Sequence, residues 1–90
     1  MAINLTLDIV NEKGLHARAS AKFVELVEAH DARVEVSRNG VVVPGDSIMG
    51  LLTLGASQGT QIELTIDGAE AEILSAKLIE LVAEKFGEGQ

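Results

Sequence analysis

The sequence has no cysteine, tryptophan or tyrosine, a single proline and only two phenylalanines. The absence of cysteine excludes both a disulfide frame and a thiolate metal site. Aromatic residues make up 2% of the chain but hydrophobic residues 47%, so the core must be built from Val, Ile, Leu and Ala. Seven basic residues stand against 14 acidic ones, a formal net charge of −7. That balance argues against nucleic acid, which needs clustered Lys and Arg and aromatic platforms for its bases. No apolar run approaches the ~20 residues that span a bilayer. Asn4 and Asp8 interrupt the apolar segment at the start, which also lacks the layout of a secretory signal. The expectation is one cytoplasmic domain over residues 1–90, without membrane insertion, whose partner is a protein or a small ligand.

What is present is strongly patterned. Ile3, Leu5, Leu7 and Ile9 alternate with Asn4, Thr6 and Asp8, a strand with one wet face. Asn11 to Gly14 breaks the pattern. From about Ala17 to Ala29 the spacing becomes helical, with Ala19, Phe23, Leu26 and Val27 on one stripe. Val34–Arg38 and Val41–Val43 flank Asn39-Gly40, a strong hairpin signal. Ile48 to Leu52 predicts a short helix capped by Ser47 or Asp46. Gly55 to Gly59 reads as a loop, Gln61 to Asp67 as a fourth strand, and Ala69 to Phe86 as a final helix lined by Leu74, Leu78, Leu81 and Val82. Gly87 to Gln90 is expected to fray. The fold class is α+β: a four-stranded antiparallel sheet covered on one face by three helices, in the order βαββαβα. Periodicity does not give the strand order.

One segment carries chemistry: Gly14-Leu15-His16-Ala17-Arg18-Ala19-Ser20, where a loop turns into a helix. A helix start leaves backbone N–H groups free, here those of Ala17, Arg18 and Ala19, and carries partial positive charge. Such a terminus suits phosphate, and Arg18 adds a bidentate fork for phosphate oxygens. The same field favours neutral imidazole, the nucleophilic form, although the dipole contributes only ~0.3–1 kcal/mol at exposed sites. His16 therefore reads as a nucleophilic phosphate acceptor. On spacing alone, a histidine beside a helix start is more often a polar surface residue, and Arg18 a solvated charge. His30 reads as a surface residue near a helix C-terminus, and with no other histidine and no cysteine a metal site is not expected.

These residues resemble the HPr family, the histidine-containing phosphocarriers of the bacterial phosphotransferase system, and the resemblance covers essentially the whole chain. Gly14-Leu15-His16-Ala17-Arg18 is similar to the family's phosphorylation motif, Asn39-Gly40 to its hairpin, and Ser47-Ile48-Met49-Gly50-Leu51 to its regulatory-serine motif. The resemblance implies an open-faced βαββαβα sandwich without a cofactor. It implies that enzyme I phosphorylates His16 on Nδ1, that Arg18 stabilises the group, and that an enzyme IIA domain receives it. Ser47 would be the site at which an HPr kinase/phosphorylase regulates the carrier. The carrier is in this sense a substrate of other enzymes, although often grouped with phosphotransferases. Two departures stand out: Ala19 occupies the position where the family usually has proline, and Asp46, an acidic residue, precedes Ser47.

Ile48, Met49, Leu51, Leu52 and Leu54 point in too many directions to share one core. Leu51 and Leu54 are expected inside; Ile48, Met49 and Leu52 are expected to dock partners. The resemblance implies that basic residues near the first helix help dock enzyme I; here Lys22 remains, on a face that Glu25 and Glu28 make less basic. Ser47 alone would read as a helix cap; within the family pattern it reads as a place where phosphate adds ~1.5–2 negative charges beside that docking surface. The competing reading is a regulatory binding module that uses this surface without transferring phosphate. An acylphosphatase-like hydrolase is disfavoured, because no Gly-Arg-Val-type anion loop surrounds Arg18 or Arg38. The expected state is a monomer.

Overall fold

The computed structural model describes residues 2–89. Its elements are β1 (Ile3–Asp8), α1 (Ala17–Glu28), β2 (Arg33–Arg38), β3 (Val41–Pro44), α2 (Ile48–Thr53), β4 (Gln61–Asp67) and α3 (Ala71–Ala83), followed by a short 3-10 turn at Lys85–Gly87. The sheet order is β1-β4-β2-β3, with every neighbouring pair antiparallel. The last strand thus lies in the middle of the sheet. Ile3 opposes Ile66 on one side of it, and Val36 opposes Leu64 on the other.

Alternation in the sequence decides which face is covered. Leu7, Val34, Val36, Val43, Ile62, Leu64 and Ile66 are buried beneath the helices. The open face carries Asn4, Thr6, Asp8, Glu35, Gln61, Glu63 and Thr65. Across that face Thr65 Oγ1 donates to Asn4 Oδ1 (3.1 Å) and Gln61 Nε2 to Asp8 Oδ1 (2.8 Å), cross-strand pairs of the kind that stabilise a half-wet sheet. Ala19, Phe23 and Val27 of α1 and Leu74, Leu78 and Val82 of α3 close the core, with Leu51 of α2 between strand and helix. Leu26 and Leu81, expected on those stripes, lie at the margin of the core, only partly buried.

The hairpin forms at Asn39-Gly40, both residues at positive φ (52° and 82°), as a tight turn matching strand twist requires. Of the two cap candidates for α2, Ser47 is the one used: its Oγ accepts from Gly50 N at 3.0 Å, while Asp46 is exposed. Leu51 and Leu54 are inside, as expected. His30 sits past the end of α1, where its Nδ1 meets the Leu26 carbonyl at 2.7 Å.

The C-terminus departs from expectation. The α-helix does not run from Ala69 to Phe86; it covers Ala71–Ala83. The chain then turns through Lys85, Phe86 and Gly87, all at positive φ (58°, 55° and 76°). The driving force is visible in the outcome. Phe86, one of two aromatic residues in the chain, becomes fully buried, a gain of about 1.5–3 kcal/mol set against left-handed backbone at Lys85 and Phe86, about 1–2 kcal/mol each, so that burial offsets much of the backbone cost. A continued helix would point that ring elsewhere. Glu88 is likewise not frayed, being held by side chains of the first loop; Gln90, expected to fray, lies outside the described residues.

Candidate functional site

The loop between β1 and α1 is anchored before it reaches His16. Asn11 is fully buried and its Nδ2 donates to the Gly14 carbonyl at 2.8 Å. Gly14 takes φ +67°, and a Cβ there would lie 2.5 Å from the Ala56 carbonyl oxygen. That same oxygen accepts from Leu15 N at 2.8 Å. Glycine is required both for the backbone angle and for this close approach. Leu15 then inserts into the core, so the next residue is delivered to the surface at a defined height.

His16 is the N-cap of α1, with extended backbone (φ −81°, ψ −177°) and no side-chain bond back to the helix. Ser20 N donates to the His16 carbonyl at 2.8 Å, the first turn closing as it should. The N–H groups of Ala17, Arg18 and Ala19 belong to the set that a helix start leaves without intrahelical acceptors. Since no side chain caps them, they remain turned toward whatever anion arrives. Ala19 is fully buried; an excellent helix former fills the position where proline is usual in the resembled family, and α1 starts in place without it.

The imidazole is one-quarter exposed, and its Nε2 meets the Glu88 carboxylate, itself only 11% exposed. The other Glu88 oxygen accepts from Asn11 Nδ2 at 3.0 Å. Asn11 Oδ1 has no donor among the described residues. Burial raises the Glu88 carboxyl, but hydrogen bonds from Asn11 and His16, with the charges of His16 and Lys13, outweigh it and hold the group below the usual glutamate range. Among the described residues no partner is recorded for Nδ1 of His16. The ring therefore has one committed nitrogen and one open edge. Arg18 is exposed and lines a cleft of about 240 Å³ with Glu12, Lys13, Gly87 and Glu88.

The other expected residues lie apart from this centre. Ser47 is half-buried at the start of α2. Met49 is 72% exposed and Ile48 38%, with Leu52 partly so. Contacts between α1 and α2 put this apolar surface on the same helical side of the sheet as His16. Lys22 has a further task, since its Nζ donates to the Phe86 carbonyl at 2.7 Å and ties down the C-terminal turn. Asn11 and Glu88 were missed by sequence reasoning. The one available signal was Phe86: an apolar ring so near the end needs a place in the core, and it fixes its neighbours.

No helix among the described residues is long and apolar enough to cross a membrane. Residues 3–84 match the family model described as "PTS HPr component phosphorylation site". Phosphocarrier protein HPr of Neisseria meningitidis is 48% identical over 86 residues, covering 94% of this chain and 96% of the relative. The protein of the same name from Cupriavidus necator is 43% identical over 82 residues, with 91% and 92% covered. Among solved structures, HPr-C-His from Thermoanaerobacter tengcongensis superposes with a TM-score of 0.91 at 36% identity, covering 96% of this chain and 97% of that one. A helix-capping histidine with an open nitrogen, a neighbouring arginine and a chain that aligns almost end to end leave one assignment: the chain belongs to the HPr family, the phosphocarriers of the phosphotransferase system.

Proposed function

We propose that His16 is the phosphoryl acceptor, that enzyme I charges it from phosphoenolpyruvate, and that an enzyme IIA domain receives the group. The observation that carries this reading is the open Nδ1 edge of an imidazole standing at the N-terminus of α1. A dianion on Nδ1 meets the first-turn N–H groups and the helix dipole, and Arg18, two positions along the chain, supplies a fork for its oxygens. No metal or cofactor is needed for the step, because the electrophile arrives already activated on its donor. The carrier works in the cytoplasm as a monomer.

Ile48, Met49 and Leu52 form the docking surface, with Lys22 of α1 as a basic contact for enzyme I. Exposed, adaptable apolar side chains beside the reactive group suit a carrier that must meet several partners in turn. Ser47, at the edge of this surface, is the regulatory position: a phosphate there sets charge against apolar docking and weakens association with enzyme I.

The deciding experiment is incubation with enzyme I and labelled phosphoenolpyruvate. The wild type takes up an acid-labile label; His16→Ala takes up none, and Arg18→Ala takes it up more slowly. Full labelling of His16→Ala would remove His16 from the reaction.

A further inference from the structure

We infer that Glu88 is a positioning residue for phosphoryl transfer: its carboxylate holds the proton on Nε2 of His16, so that Nδ1 meets the phosphoryl group as a free lone pair. The inference rests on His16 being the acceptor and says how that acceptor is prepared.

A carboxylate can only accept hydrogen bonds, so the nitrogen facing it must donate. Contact between Nε2 and Glu88 therefore selects the Nε2–H tautomer and leaves Nδ1 unprotonated. The carboxylate is itself fixed from three sides. Its second oxygen accepts from the buried Asn11 amide. Its backbone N–H donates to the Lys85 carbonyl at 3.0 Å. Two residues earlier, Phe86 is sunk in the core and its carbonyl is held by Lys22. A tail that bends through three left-handed residues to seat one ring thereby delivers one carboxylate to one imidazole nitrogen.

The transfer step gives this contact its use. The Nδ1 lone pair forms the N–P bond while the donor's bond to phosphorus breaks, and that electron pair leaves with the donor. No proton moves. The ring becomes a phosphoimidazolium, its positive charge shared with Nε2–H, and Glu88 neutralises that charge as it develops. When the acceptor attacks phosphorus, the N–P pair returns to Nδ1 and the ring is neutral again, Nε2 still protonated. A buried acid behind the histidine of a hydrolytic triad does the same two things, setting the tautomer and stabilising the imidazolium. Both directions of transfer benefit.

The test compares wild type with Glu88→Ala and Glu88→Gln, and uses Glu84→Ala, an exposed acid at the end of α3, as the control for net charge. Nitrogen-15 NMR of the imidazole, at a pH where the ring is neutral, reads the tautomer without any phosphate present. The wild type shows Nε2 protonated throughout; Glu88→Ala moves toward the tautomer mixture of a free histidine. Glu88→Gln, which keeps an acceptor oxygen but no charge, retains the tautomer. Rates of phosphorylation by enzyme I then fall about ten- to a hundredfold in Glu88→Ala, the loss typical when the carboxylate that orients a metal-bound histidine is removed. The loss falls in kcat with KM unchanged, and Glu88→Gln recovers part of it. An unchanged tautomer in Glu88→Ala, an unchanged rate, or an equal loss in Glu84→Ala would overturn the inference. Labelling that survives His16→Ala would instead remove the acceptor assignment, a separate result, because the tautomer is read on unphosphorylated protein.

Discussion

Replacing Gly14 by alanine tests whether the loop before His16 is held as tightly as its geometry indicates. At φ +67° an L residue is in left-handed backbone, at a cost of about 1–2 kcal/mol. The added Cβ would lie 2.5 Å from the Ala56 carbonyl oxygen and 2.8 Å from Ser57 Cα. Both are backbone atoms, so no side chain can rotate away, and overpacking of this kind costs about 1–3 kcal/mol. Reduced freedom of the unfolded chain returns about 0.4–1 kcal/mol. The net loss is about 1–4.5 kcal/mol, up to a large share of the 5–15 kcal/mol typical of a domain. Gly40 is the internal control. It also has positive φ (+82°), but nothing lies within 4 Å of its added Cβ. Gly40→Ala therefore carries only the backbone cost less the same return, about 0–1.5 kcal/mol. Urea unfolding of both variants reads the difference. The Ala56 carbonyl that the new methyl displaces also holds Leu15, so Gly14→Ala should slow phosphorylation as well, and Gly40→Ala should not. If Gly14→Ala loses no more stability than Gly40→Ala, the close approach at Ala56 does not constrain the loop and the reasoning fails.

Three further outcomes are expected. Ser47→Ala removes the acceptor of Gly50 N and should cost about 1 kcal/mol in thermal unfolding. Ser47→Asp retains a capping oxygen, so stability should hold while labelling by enzyme I slows; an unchanged transfer rate would count against regulation at this position. Glu88 is held below the usual glutamate range, so its contribution is fully present above that range and is lost as pH falls through the lower folded-state value. Carbon-13 NMR of the Glu88 carboxyl against pH should give a midpoint below that of a glutamate in an unstructured peptide, and one at or above it would refute the contact network.

Most of the fold was legible because period-two alternation survives into the structure unchanged. Gln61–Asp67 was read to the residue, and Ile62, Leu64 and Ile66 are buried as the pattern requires. The place of His16 at the start of α1 was legible because a helix start is marked by local sequence. What stayed hidden depends on contacts between distant residues. Asn11 looked like a breaker of alternation, yet its buried amide joins the Gly14 carbonyl to Glu88, 77 positions away. Glu88 stood in a Gly-Glu-Gly tail with the composition of a loose end. Strand order was illegible for the same reason: nothing within β4 tells that it lies between β1 and β2.

That hidden part explains how a carrier can be both well defined and reactive. The imidazole must be oriented before a donor arrives, since a misplaced nucleophile forfeits much of the advantage of bound geometry. As the proposed phosphoryl acceptor it must also stay accessible, to a donor and then to a recipient. Fixing the ring by neighbours on its Nδ1 edge would satisfy the first need and defeat the second. Here the restraint comes from behind: Leu15 anchors the backbone below, Glu88 holds Nε2, and the tail that supplies Glu88 is pinned by Phe86 and Lys22 on the far side. The Nδ1 edge is left to the first turn of α1 and to Arg18. Removing residues 88–90, which leaves Phe86 in the core, should therefore leave α2 intact while loosening the ring, so that enzyme I binds as before and transfers more slowly. A truncated protein that is phosphorylated at the wild-type rate would show that the orientation comes from the loop alone.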